Sequence, residues 1–345
     1  MADRDMSRGY DADPAKGGGT GTGQMGEGRS SVRHLSHAYR ELSARYRSGA
    51  DTPPDGTLTA DHVRAYVAAR LPATLAVSRA VLAEVAARRP DWQPASLLDL
   101  GAGPGTAAHA AAERYPGLAR VDLVERSALM IDAGRRLARA DGPPALRAAR
   151  WHRGDVQIPP PVTADLTVAA YLLGELPAAR RSAAVAAWWR ATAGELVLID
   201  TGTPAGFARI LAARTALLAA GATITAPCPA DGACPLPRGD WCHFARRVER
   251  SALHRTTKDA ALGHEDEKYT YLVASRQDPA HAGGRVLRAP AARSGHVRLL
   301  VCAPDGRRDV VVARSAGADY RWARRARWGD AAPLLPAARR GTAGR

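Results

Sequence analysis

Beyond residue 95, short apolar segments alternate with longer segments of helical pattern, and this alternation most narrowly limits the fold. The apolar segment SLLDL runs into the glycine-rich turn GAGPG and then into the alanine-rich segment TAAHAAAERYP. The segments ARVDLV, ARWHRGDV, ADLTVAA and GELVLIDTG repeat the strand pattern, and helical segments separate most of them. Parallel strands need long crossover connections, whereas antiparallel strands can follow a short turn. The alternation therefore predicts an α/β domain with a parallel sheet and helices on both of its faces.

Changes in composition and rhythm divide the chain into five predicted parts. Between residues 31 and 90, apolar side chains recur at spacings of three and four, which indicates helices that end at Pro90. The later segments KYTYLVASR, GHVRLLVCAP and RDVVVARS are β-rich, and we expect them to add antiparallel strands to the sheet. The parts are a disordered tail (1–30), a helical N-terminal region (31–90), a Rossmann-like core (91–222), a cysteine-bearing insertion with a basic β-rich lobe that completes the sheet (223–330), and a disordered tail (331–345).

Hydropathy and the N-terminal composition predict a cytoplasmic protein without a membrane span. No stretch of about 18 residues is apolar and free of charge. The first thirty residues mix acids, bases and glycines, so they lack the apolar centre of a signal peptide, and their acids argue against a transit peptide. In a reducing compartment, clustered cysteines bind metal more often than they form disulfides.

The positive charge is concentrated at the C-terminal end of the chain. The whole sequence has a net charge of +15, and residues 285–345 contain fourteen Arg and four Asp, or +10. Only three Lys accompany 46 Arg, which favours a general compositional bias towards Arg. Such a bias explains why Arg replaces Lys, but it does not explain an excess of charge at one end. The excess predicts contact with a polyanion, RNA or DNA.

The turn after the first predicted strand has the composition of a nucleotide-binding loop. Asp99 ends the strand, and Gly101, Gly103 and Gly105 form the turn, where a backbone without Cβ atoms can approach a ligand closely. A dinucleotide fingerprint would place glycine at position 106, but Thr106 stands there, and no Gly-Lys-Ser/Thr phosphate loop is present. The turn resembles the first motif of the class I S-adenosylmethionine-dependent methyltransferases. A tight βα turn that has lost its ligand is the alternative.

Two acidic residues stand in register with that resemblance. Glu125 ends the second predicted strand, where the acidic residue of those methyltransferases binds the ribose hydroxyls. Asp155 follows the third strand and matches the position that meets the adenine amino group. Either residue alone could be a solvated loop carboxylate. The resemblance implies S-adenosyl-L-methionine as cofactor, with Asp99, Gly101, Gly103, Gly105, Glu125 and Asp155 as its binding residues.

The sequence does not identify a catalytic residue. The fourth strand ends in YLLGELP, whereas methyltransferases that act on base amino groups have an Asn/Asp-Pro-Pro-aromatic motif at this place. No cysteine stands where an RNA cytosine-C5 methyltransferase has its nucleophile. Glu175 is the nearest ionisable group, and a capping or structural role is favoured for it.

Four cysteines are spread over two distant parts of the chain. Cys228, Cys234 and Cys242 lie in one proline-rich segment, and Cys302 follows in the segment VRLLVCAP. Four thiolates can complete one tetrahedral set, but the paired C-x-x-C turns of zinc ribbons are absent. The spacing therefore leaves zinc and an iron–sulfur cluster equally open. His243 adjoins the third cysteine, and packing is favoured for it over ligation.

Several motifs together resemble a ribosome-linked family. They are APCPADGACPLPRGDWCHFARRVER, EDEKYTYLVASR, RAPAARSGHVRLLVCAPDG, YRWARRARWGD, AYVAARLPATLA, LLDLGAGPGT, AAYLLGELP and IDTGTPAGF. The family comprises mitochondrial methyltransferase-like protein 17, its yeast small-subunit counterpart and bacterial relatives predicted to be rRNA methyltransferases. The resemblance implies a [4Fe–4S] cluster on Cys228, Cys234, Cys242 and Cys302, with zinc as the alternative. We expect such a cluster to act chiefly as a structural staple.

The expected fold is a class I S-adenosylmethionine-dependent methyltransferase (Rossmann-like) sheet with an N-terminal helical extension and a cysteine-ligated metal insertion. The expected function is methylation of small-subunit ribosomal RNA, and the alternative is a non-catalytic assembly factor that binds the pre-ribosomal small subunit. The segment YRWARRARWGD could stack on unpaired bases, or Trp322 and Trp328 could dock on the core while the arginines face solvent. A ribosome-associated location follows from either function.

Overall fold

The computed structural model describes residues 33–44, 58–278 and 281–335. The predicted tail 1–30 and residues 336–345 lie outside the described residues. No helix within the described ranges is both long and apolar enough to cross a membrane. The helices are α1 (33–44), α2 (Ala60–Ala69), α3 (Leu71–Arg88), α4 (Thr106–Arg114), α5 (Ala128–Asp141), α6 (Pro144–Arg147), α7 (Ala178–Arg190), α8 (Pro204–Ala219), α9 (Ala252–Lys258) and α10 (Ala318–Ala323).

Thirteen strands are present among the described residues, in two sheets. Those of the first sheet are β1 (Ser96–Leu100), β2 (Arg120–Glu125), β3 (Arg150–Arg153), β4 (Ala164–Ala170), β5 (Thr192–Thr201), β6 (Thr223–Ala226), β7 (Phe244–Glu249) and β8 (His264–Ser275). Those of the second are β9 (Gly284–Val286), β10 (Ala291–Arg293), β11 (His296–Ala303), β12 (Gly306–Ala313) and β13 (Ala331–Ala332).

The first sheet has the strand order β3-β2-β1-β4-β5-β8-β6. The five strands from β3 to β5 are parallel, as the alternation of strands and helices predicted. Strand β8 runs antiparallel to β5, and β6 and β7 both run antiparallel to β8. Tyr269 pairs with Thr201 of β5 and with Phe244 of β7, so β7 lies on the same edge of β8 as β6. Strands β6 and β7 thus form one interrupted edge strand, and residues 227–243, the cysteine loop, leave the sheet between them.

Alternation along the strands places a core on each face of this sheet. In β1, Leu97 belongs to the core beneath α3, α4 and α5, whereas Leu98 belongs to the core beneath α7 and α8. Trp188 is completely buried in the second core, and its Nε1 donates to the Val156 carbonyl oxygen at 2.8 Å. The sheet is therefore a closed three-layer unit, and ligands can reach it only at the ends of its strands.

The N-terminal helices are part of this unit. Thr59 begins α2 with a capping box, in which its hydroxyl accepts from the His62 N–H and the His62 ring accepts from the Thr59 N–H. Pro72 stands in the first turn of α3, where a missing N–H costs nothing, so the chain turns between α2 and α3 at Arg70. Helix α3 packs on α4 and crosses β6, β7 and β8. The predicted helical extension thus covers one face of the sheet.

The C-terminal β-rich segments differ from the prediction in one respect. The segment KYTYLVASR extends the first sheet as β8, but β11 and β12 form a second sheet with β9, β10 and β13. The side chains of Val297, Leu299 and Val301 on β11 point into a separate core, which is formed within the lobe 281–335. This lobe, called the C-terminal lobe below, therefore does not complete the first sheet, because its apolar faces bury one another.

One buried arginine joins the C-terminal lobe to the rest of the protein. Arg285 on β9 is 1% exposed, and its guanidinium donates to the carbonyl oxygens of Pro227 at 3.0 Å and Gly329 at 2.9 Å. It also forms an ion pair with Glu84 of α3. Its three bonds reach the N-terminal helices, the cysteine loop and the end of the lobe.

Replacing Arg285 by methionine should lower the free energy of unfolding by about 3–5 kcal/mol, because it leaves Glu84 and two carbonyl oxygens without their buried donor. Denaturant unfolding measures this loss. Arg88→Met is the matched control, since Arg88 pairs with the same carboxylate from a more exposed position; it should cost about 1 kcal/mol or less. Equal losses in the two variants would contradict a special role for Arg285.

Candidate cofactor site and cysteine cluster

The glycine turn joins β1 to α4 with a backbone that other residues rarely adopt. Gly101, Gly103 and Gly105 have φ angles of +65°, +54° and +81°. The Ala102 N–H donates to the Val124 carbonyl oxygen at 3.0 Å, which fixes the turn against the neighbouring strand β2. Gly105 begins α4 without a side-chain cap, so the first turn of the helix leaves N–H groups available to a ligand.

Each glycine of the turn faces different surroundings. A Cβ atom on Gly101 would lie 2.8 Å from Leu172 Cδ1, so the backbone is packed closely there. Among the described residues, a Cβ on Gly103 would meet only the Tyr66 hydroxyl, at 3.9 Å. Gly103 therefore borders an open space that a ligand can enter, with helix α2 on its far side. Beneath the turn, Trp151 lies in contact range of a Cβ on Gly105, at 3.6 Å.

Glu125 braces the turn from the end of β2. One carboxylate oxygen accepts from the Gly103 N–H at 2.9 Å, and the other accepts from the Ser127 N–H at 2.8 Å. Burial raises the pKa of Glu125, and these two N–H groups oppose the rise. A carboxylate has about four acceptor sites, and the backbone bonds from Gly103, Ser127 and Arg126 leave capacity for a donor on a ligand.

Asp99 lies below the turn and is 1% exposed. Its carboxylate accepts from the Ala108 N–H of α4 at 3.1 Å. Burial raises the pKa of Asp99 to about 7, although the Ala108 N–H acts in the opposite direction. Asp99 thus ties the strand to the helix that follows the turn.

Asp155 is exposed, in the loop after β3. It accepts from the Gln157 backbone N–H at 2.9 Å and from the Gln157 side-chain amide. The adjoining Gly154 N–H donates to the Glu125 carbonyl oxygen at 3.3 Å, which places this loop beside the end of β2. The structure thus brings the three predicted acids to the carboxyl ends of adjacent strands, with Asp99 below the turn and Asp155 at the rim.

The carboxyl end of β4 is lined by polar groups that the sequence did not single out, apart from Glu175. Tyr171 has a φ of +59°, a strained value for a tyrosine, and its buried hydroxyl has no hydrogen-bond partner among the described residues. The Arg70 guanidinium lies 5.8 Å from the centre of the Tyr171 ring and pairs with Glu267 at 3.4 Å. Burial, reinforced by the charge of Glu125, raises the pKa of Glu175 to about 7.

Sequence reasoning missed Tyr66, Trp151 and Tyr171 as neighbours of the turn. Gly134 in the middle of α5 was a usable signal for Trp151, because a helix tolerates an interior glycine mainly where another group approaches closely. A Cβ on Gly134 would lie 2.5 Å from the Trp151 ring. Tyr66 comes from the N-terminal extension, and only the tertiary packing of α2 reveals its place.

The four cysteines are free thiols, and all are half-buried. Burial raises the pKa of Cys302 to about 12, and the charges of Cys228 and Cys234 raise it further. Burial also raises the pKa of Cys242 far above its ordinary value, and each of the other three thiols adds to this effect. The fold thus brings the distant Cys302 within electrostatic range of the other three.

Two buried arginines lie beside these thiols. The charge of Arg285 opposes the rise in the pKa of Cys242 and Cys302. Arg214 is 6% exposed, and it donates to the carbonyl oxygens of Ala230 and Gly232. Arg214 Nε is buried without a partner, and no described acidic residue pairs with this guanidinium. Across the described ranges, no three His, Cys, Asp or Glu side chains are grouped to hold a metal ion, so the predicted metal centre is not shown.

His243 and the two C-terminal tryptophans pack rather than project. The His243 ring stacks on Trp241 at 5.0 Å between centroids and meets the edge of Trp328 at 4.8 Å. Trp322 packs on the core of the C-terminal lobe, while Arg321, Arg324 and neighbouring arginines are exposed. Anchored tryptophans with outward arginines were one of the two arrangements the sequence left open for this segment.

The strand order and the glycine turn define the class of fold. Five parallel strands in the order β3-β2-β1-β4-β5, followed by an antiparallel strand inserted before β6, form the class I methyltransferase fold, with the glycine turn at its first βα connection. This part of the predicted fold class is confirmed, whereas the cysteine-ligated metal insertion is not shown.

The chain belongs to the Rsm22 family, whose sequence model, described as "Mitochondrial small ribosomal subunit Rsm22", matches residues 60–333. Human "Ribosome assembly protein METTL17, mitochondrial" is 32% identical over 289 residues, which cover 78% of this chain and 62% of the human protein. The "Rsm22-cox11 tandem protein 2, mitochondrial" of Schizosaccharomyces pombe is 26% identical, covering 81% of this chain and 44% of that protein. The chain thus spans less than two thirds of these relatives' length. The predicted family is confirmed.

Solved structures offer weaker likenesses. The magnesium protoporphyrin IX methyltransferase (ChlM) from Synechocystis PCC 6803 with bound SAM is 14% identical, with a TM-score of 0.40, over 72% of this chain and 97% of that chain. This identity and TM-score are too low to support the fold assignment, which rests on the strand order. The prediction of a cytoplasmic location gains no support, because the relatives named above are described as mitochondrial.

Asp99→Asn should stabilise the protein relative to wild type increasingly as the pH rises. A buried acid with a raised pKa favours the folded state while it is protonated, and that contribution is lost between the ordinary value of 3.8 and about 7. The difference in unfolding free energy between variant and wild type should therefore grow over this range, by about 4 kcal/mol at most, and level off above pH 7. Denaturant unfolding across this pH range measures it. A difference that does not change with pH for Asp99→Asn would contradict the burial of this carboxylate as a charge.

Proposed function

We propose that this protein binds S-adenosyl-L-methionine at the glycine turn and methylates small-subunit ribosomal RNA. The observation that carries the proposal is the turn itself, in which three left-handed glycines are braced by the buried carboxylate of Glu125. A turn that had lost its ligand would have no need of the open space at Gly103 or of a carboxylate with free lone pairs. Membership of the Rsm22 family supports the ribosomal part of the proposal.

The residues present fit this cofactor. Gly103 leaves a cradle that a Cβ atom would enter, and the uncapped start of α4 offers N–H groups to a carboxylate. Glu125 would accept from the two ribose hydroxyls, and Asp155 at the rim would accept from the adenine amino group. Asp99 would hold the turn in shape from below. When bound, S-adenosyl-L-methionine supplies an electrophilic methyl group to an acceptor.

The C-terminal lobe supplies the positive surface that ribosomal RNA requires. Helix α10 and the residues after it expose Arg321, Arg324 and Arg325, while Trp322 and Trp328 anchor the segment. These arginines make no ion pair with the described residues, so their charge is available to phosphates. Association with small-subunit ribosomal RNA or with the pre-ribosomal small subunit is part of the proposal.

A non-catalytic ribosome assembly factor is the second candidate, and the end of β4 favours it. Ligands of open α/β sheets bind outside the carboxyl ends of the strands, so an acceptor base would approach Tyr171 and Glu175. Arg70 and Glu267 cover that end, and the Tyr171 hydroxyl is buried. The human relative is named a ribosome assembly protein. In this reading the methyltransferase domain is a scaffold.

We also propose that Cys228, Cys234, Cys242 and Cys302 hold a [4Fe–4S] cluster. Four thiols within range of one another's charge supply the donor set, and Arg214, which forms no ion pair with a described acid, supplies a buried positive charge beside them. Such a charge is costly unless an anion neutralises it, and four thiolates on a cluster leave a net negative charge. Zinc on the same thiolates is the alternative. The bound cluster would supply a covalent junction between the cysteine loop and β11.

Gly103→Arg should abolish cofactor binding, because the new side chain fills the cradle at a backbone with a φ of +54°. Calorimetry with S-adenosyl-L-methionine should show a loss of affinity of about 100-fold or more, equivalent to about 2.7 kcal/mol. In cells that carry only this variant, a modification map of small-subunit rRNA should lack a methyl group that wild-type cells have.

Gly117→Arg is the matched control, since a Cβ at Gly117 meets no atom of the described residues within 4 Å. It should bind the cofactor and preserve the methyl group. If cells that carry only Gly103→Arg assemble ribosomes as wild-type cells do, and their rRNA modification map is the same, the enzymatic function is refuted. The assembly-factor function would then be the one supported. If wild type itself does not bind S-adenosyl-L-methionine, the cofactor assignment fails.

Replacing all four cysteines by serine should remove iron and acid-labile sulfide and lower the thermal unfolding midpoint, because the junction to β11 is lost. Anaerobic purification followed by iron, sulfide and zinc analysis measures the content. His243→Phe is the control, since it keeps the stacking between Trp241 and Trp328 and should keep the iron. Zinc without sulfide would assign the alternative. A metal-free wild type that is no more stable than the serine variant would refute both.

A further inference from the structure

The outer face of the second sheet contains an open groove, and none of its described lining residues belongs to the glycine turn. Because β11 turns alternate side chains into the core, His296, Arg298 and Leu300 face outward. Arg288 and Arg293 border the groove on the β10 side, and residues 309–311 of β12 border it on the other. Its volume is about 630 Å³, within the range of small-ligand sites.

The groove carries positive charge that no acid in the described part of the chain neutralises. Arg293 and Arg298 are exposed, and neither forms an ion pair with any described residue. The one acid in the lining, Asp309, lies 3.7 Å from Arg307, which offsets its charge. Two free guanidinium groups on one concave surface attract an anion with more than one charged group.

The floor between these arginines is apolar. Val311 is 50% exposed, which is unusual for a valine in a well-packed strand, and Leu300 beside it is half-buried. Val311 pairs directly with Arg298 in the sheet, so apolar and charged surfaces alternate at the spacing of neighbouring strands. A simple inorganic anion would leave this floor uncovered, whereas a nucleotide chain has a planar base or a ribose next to each phosphate.

One wall of the groove is held in place by the cysteine loop. Arg288 forms an ion pair with Asp240 and donates to the Trp241 carbonyl oxygen at 3.4 Å. This wall is therefore fixed before a ligand arrives, and a preformed site loses less conformational entropy on binding.

We infer that this groove binds an unpaired segment of RNA, with phosphates on Arg293 and Arg298 and a base or ribose on the floor of Leu300 and Val311. The inference rests on the proposed function, in which RNA is the partner, and adds the place of contact and the strandedness. A double helix keeps its bases stacked inside, so it could offer phosphates to the arginines but would leave the floor exposed.

The test compares two full-length variants of equal charge. Arg293→Gln/Arg298→Gln removes two groove charges, and Arg114→Gln/Arg139→Gln removes two exposed charges at the ends of α4 and α5. Fluorescence anisotropy follows binding of a labelled oligouridine, and of an RNA hairpin, as the salt concentration is varied. Thermal unfolding of both variants confirms that they are folded.

The groove variant should bind oligouridine about 25-fold more weakly than wild type at 0.1 M salt. The slope of log affinity against log salt should decrease by about 1.4, which corresponds to two phosphate contacts on a single strand. The control should keep the wild-type affinity and slope, and wild type should prefer oligouridine to the hairpin.

Four outcomes would overturn the inference, and they separate it from the proposed function. Equal losses in both variants would mean that RNA binding is spread over the surface, and preference for the hairpin would assign the lobe to duplexes. Tighter binding of oligoglutamate than of oligouridine would assign the groove to acidic proteins. In these three cases the cofactor proposal is untouched. If wild type binds neither oligouridine, the hairpin nor small-subunit rRNA, the ribosomal part of the proposed function fails as well.

Discussion

The buried guanidinium of Arg285 bonds to three parts of this protein at once. The first sheet, with its two cores, and the C-terminal lobe, with a third, are each closed units that bury their own apolar faces. Polar bonds from Arg285 reach helix α3, the cysteine loop and residue 329 from one place. Hydrophobic contact alone is not directional, whereas a planar donor with fixed bond directions sets the orientation of the parts it joins.

The two ends of the candidate cofactor site are built in opposite ways. At the glycine turn, Glu125 and Asp99 hold a left-handed glycine backbone in an open shape before any ligand is present. At the end of β4, Tyr171 is strained but closed beneath Arg70. In the proposed function, a nucleoside would meet an open backbone at Gly103, whereas an acceptor base would meet Arg70 and the buried Tyr171 hydroxyl. Because of this asymmetry, the protein could bind a cofactor without transferring its methyl group.

The sequence predicted most of the first sheet because its signals are local. The alternation of segments, the glycine turn and the acids near the carboxyl ends of β1, β2 and β3 each depend on residues close together in the chain. What it could not predict depends on distant parts. The independence of the second sheet follows from how β11 and β12 bury Val297, Leu299 and Val310 against α10, and β-rich segments of this kind have no local mark that tells which sheet they join. Tyr66 and Tyr171 were missed for the same reason, since Tyr66 meets Gly103 and Tyr171 meets Arg70 across many residues of the chain.

The interrupted edge strand has a consequence for the cysteine loop. Strands β6 and β7 lie along the same edge of β8, and residues 270–272 of β8 have no partner on that edge. All three are nevertheless buried, and Cys242 lies near enough to Tyr271 to influence its ionisation. If such an unpaired edge were exposed, it could add a strand from another chain and lead to aggregation. The cysteine loop therefore also covers an unpaired stretch of the edge of β8, and β6 and β7 hold the loop at both ends. Insertions within the loop would lengthen it without disturbing the pairing of these strands.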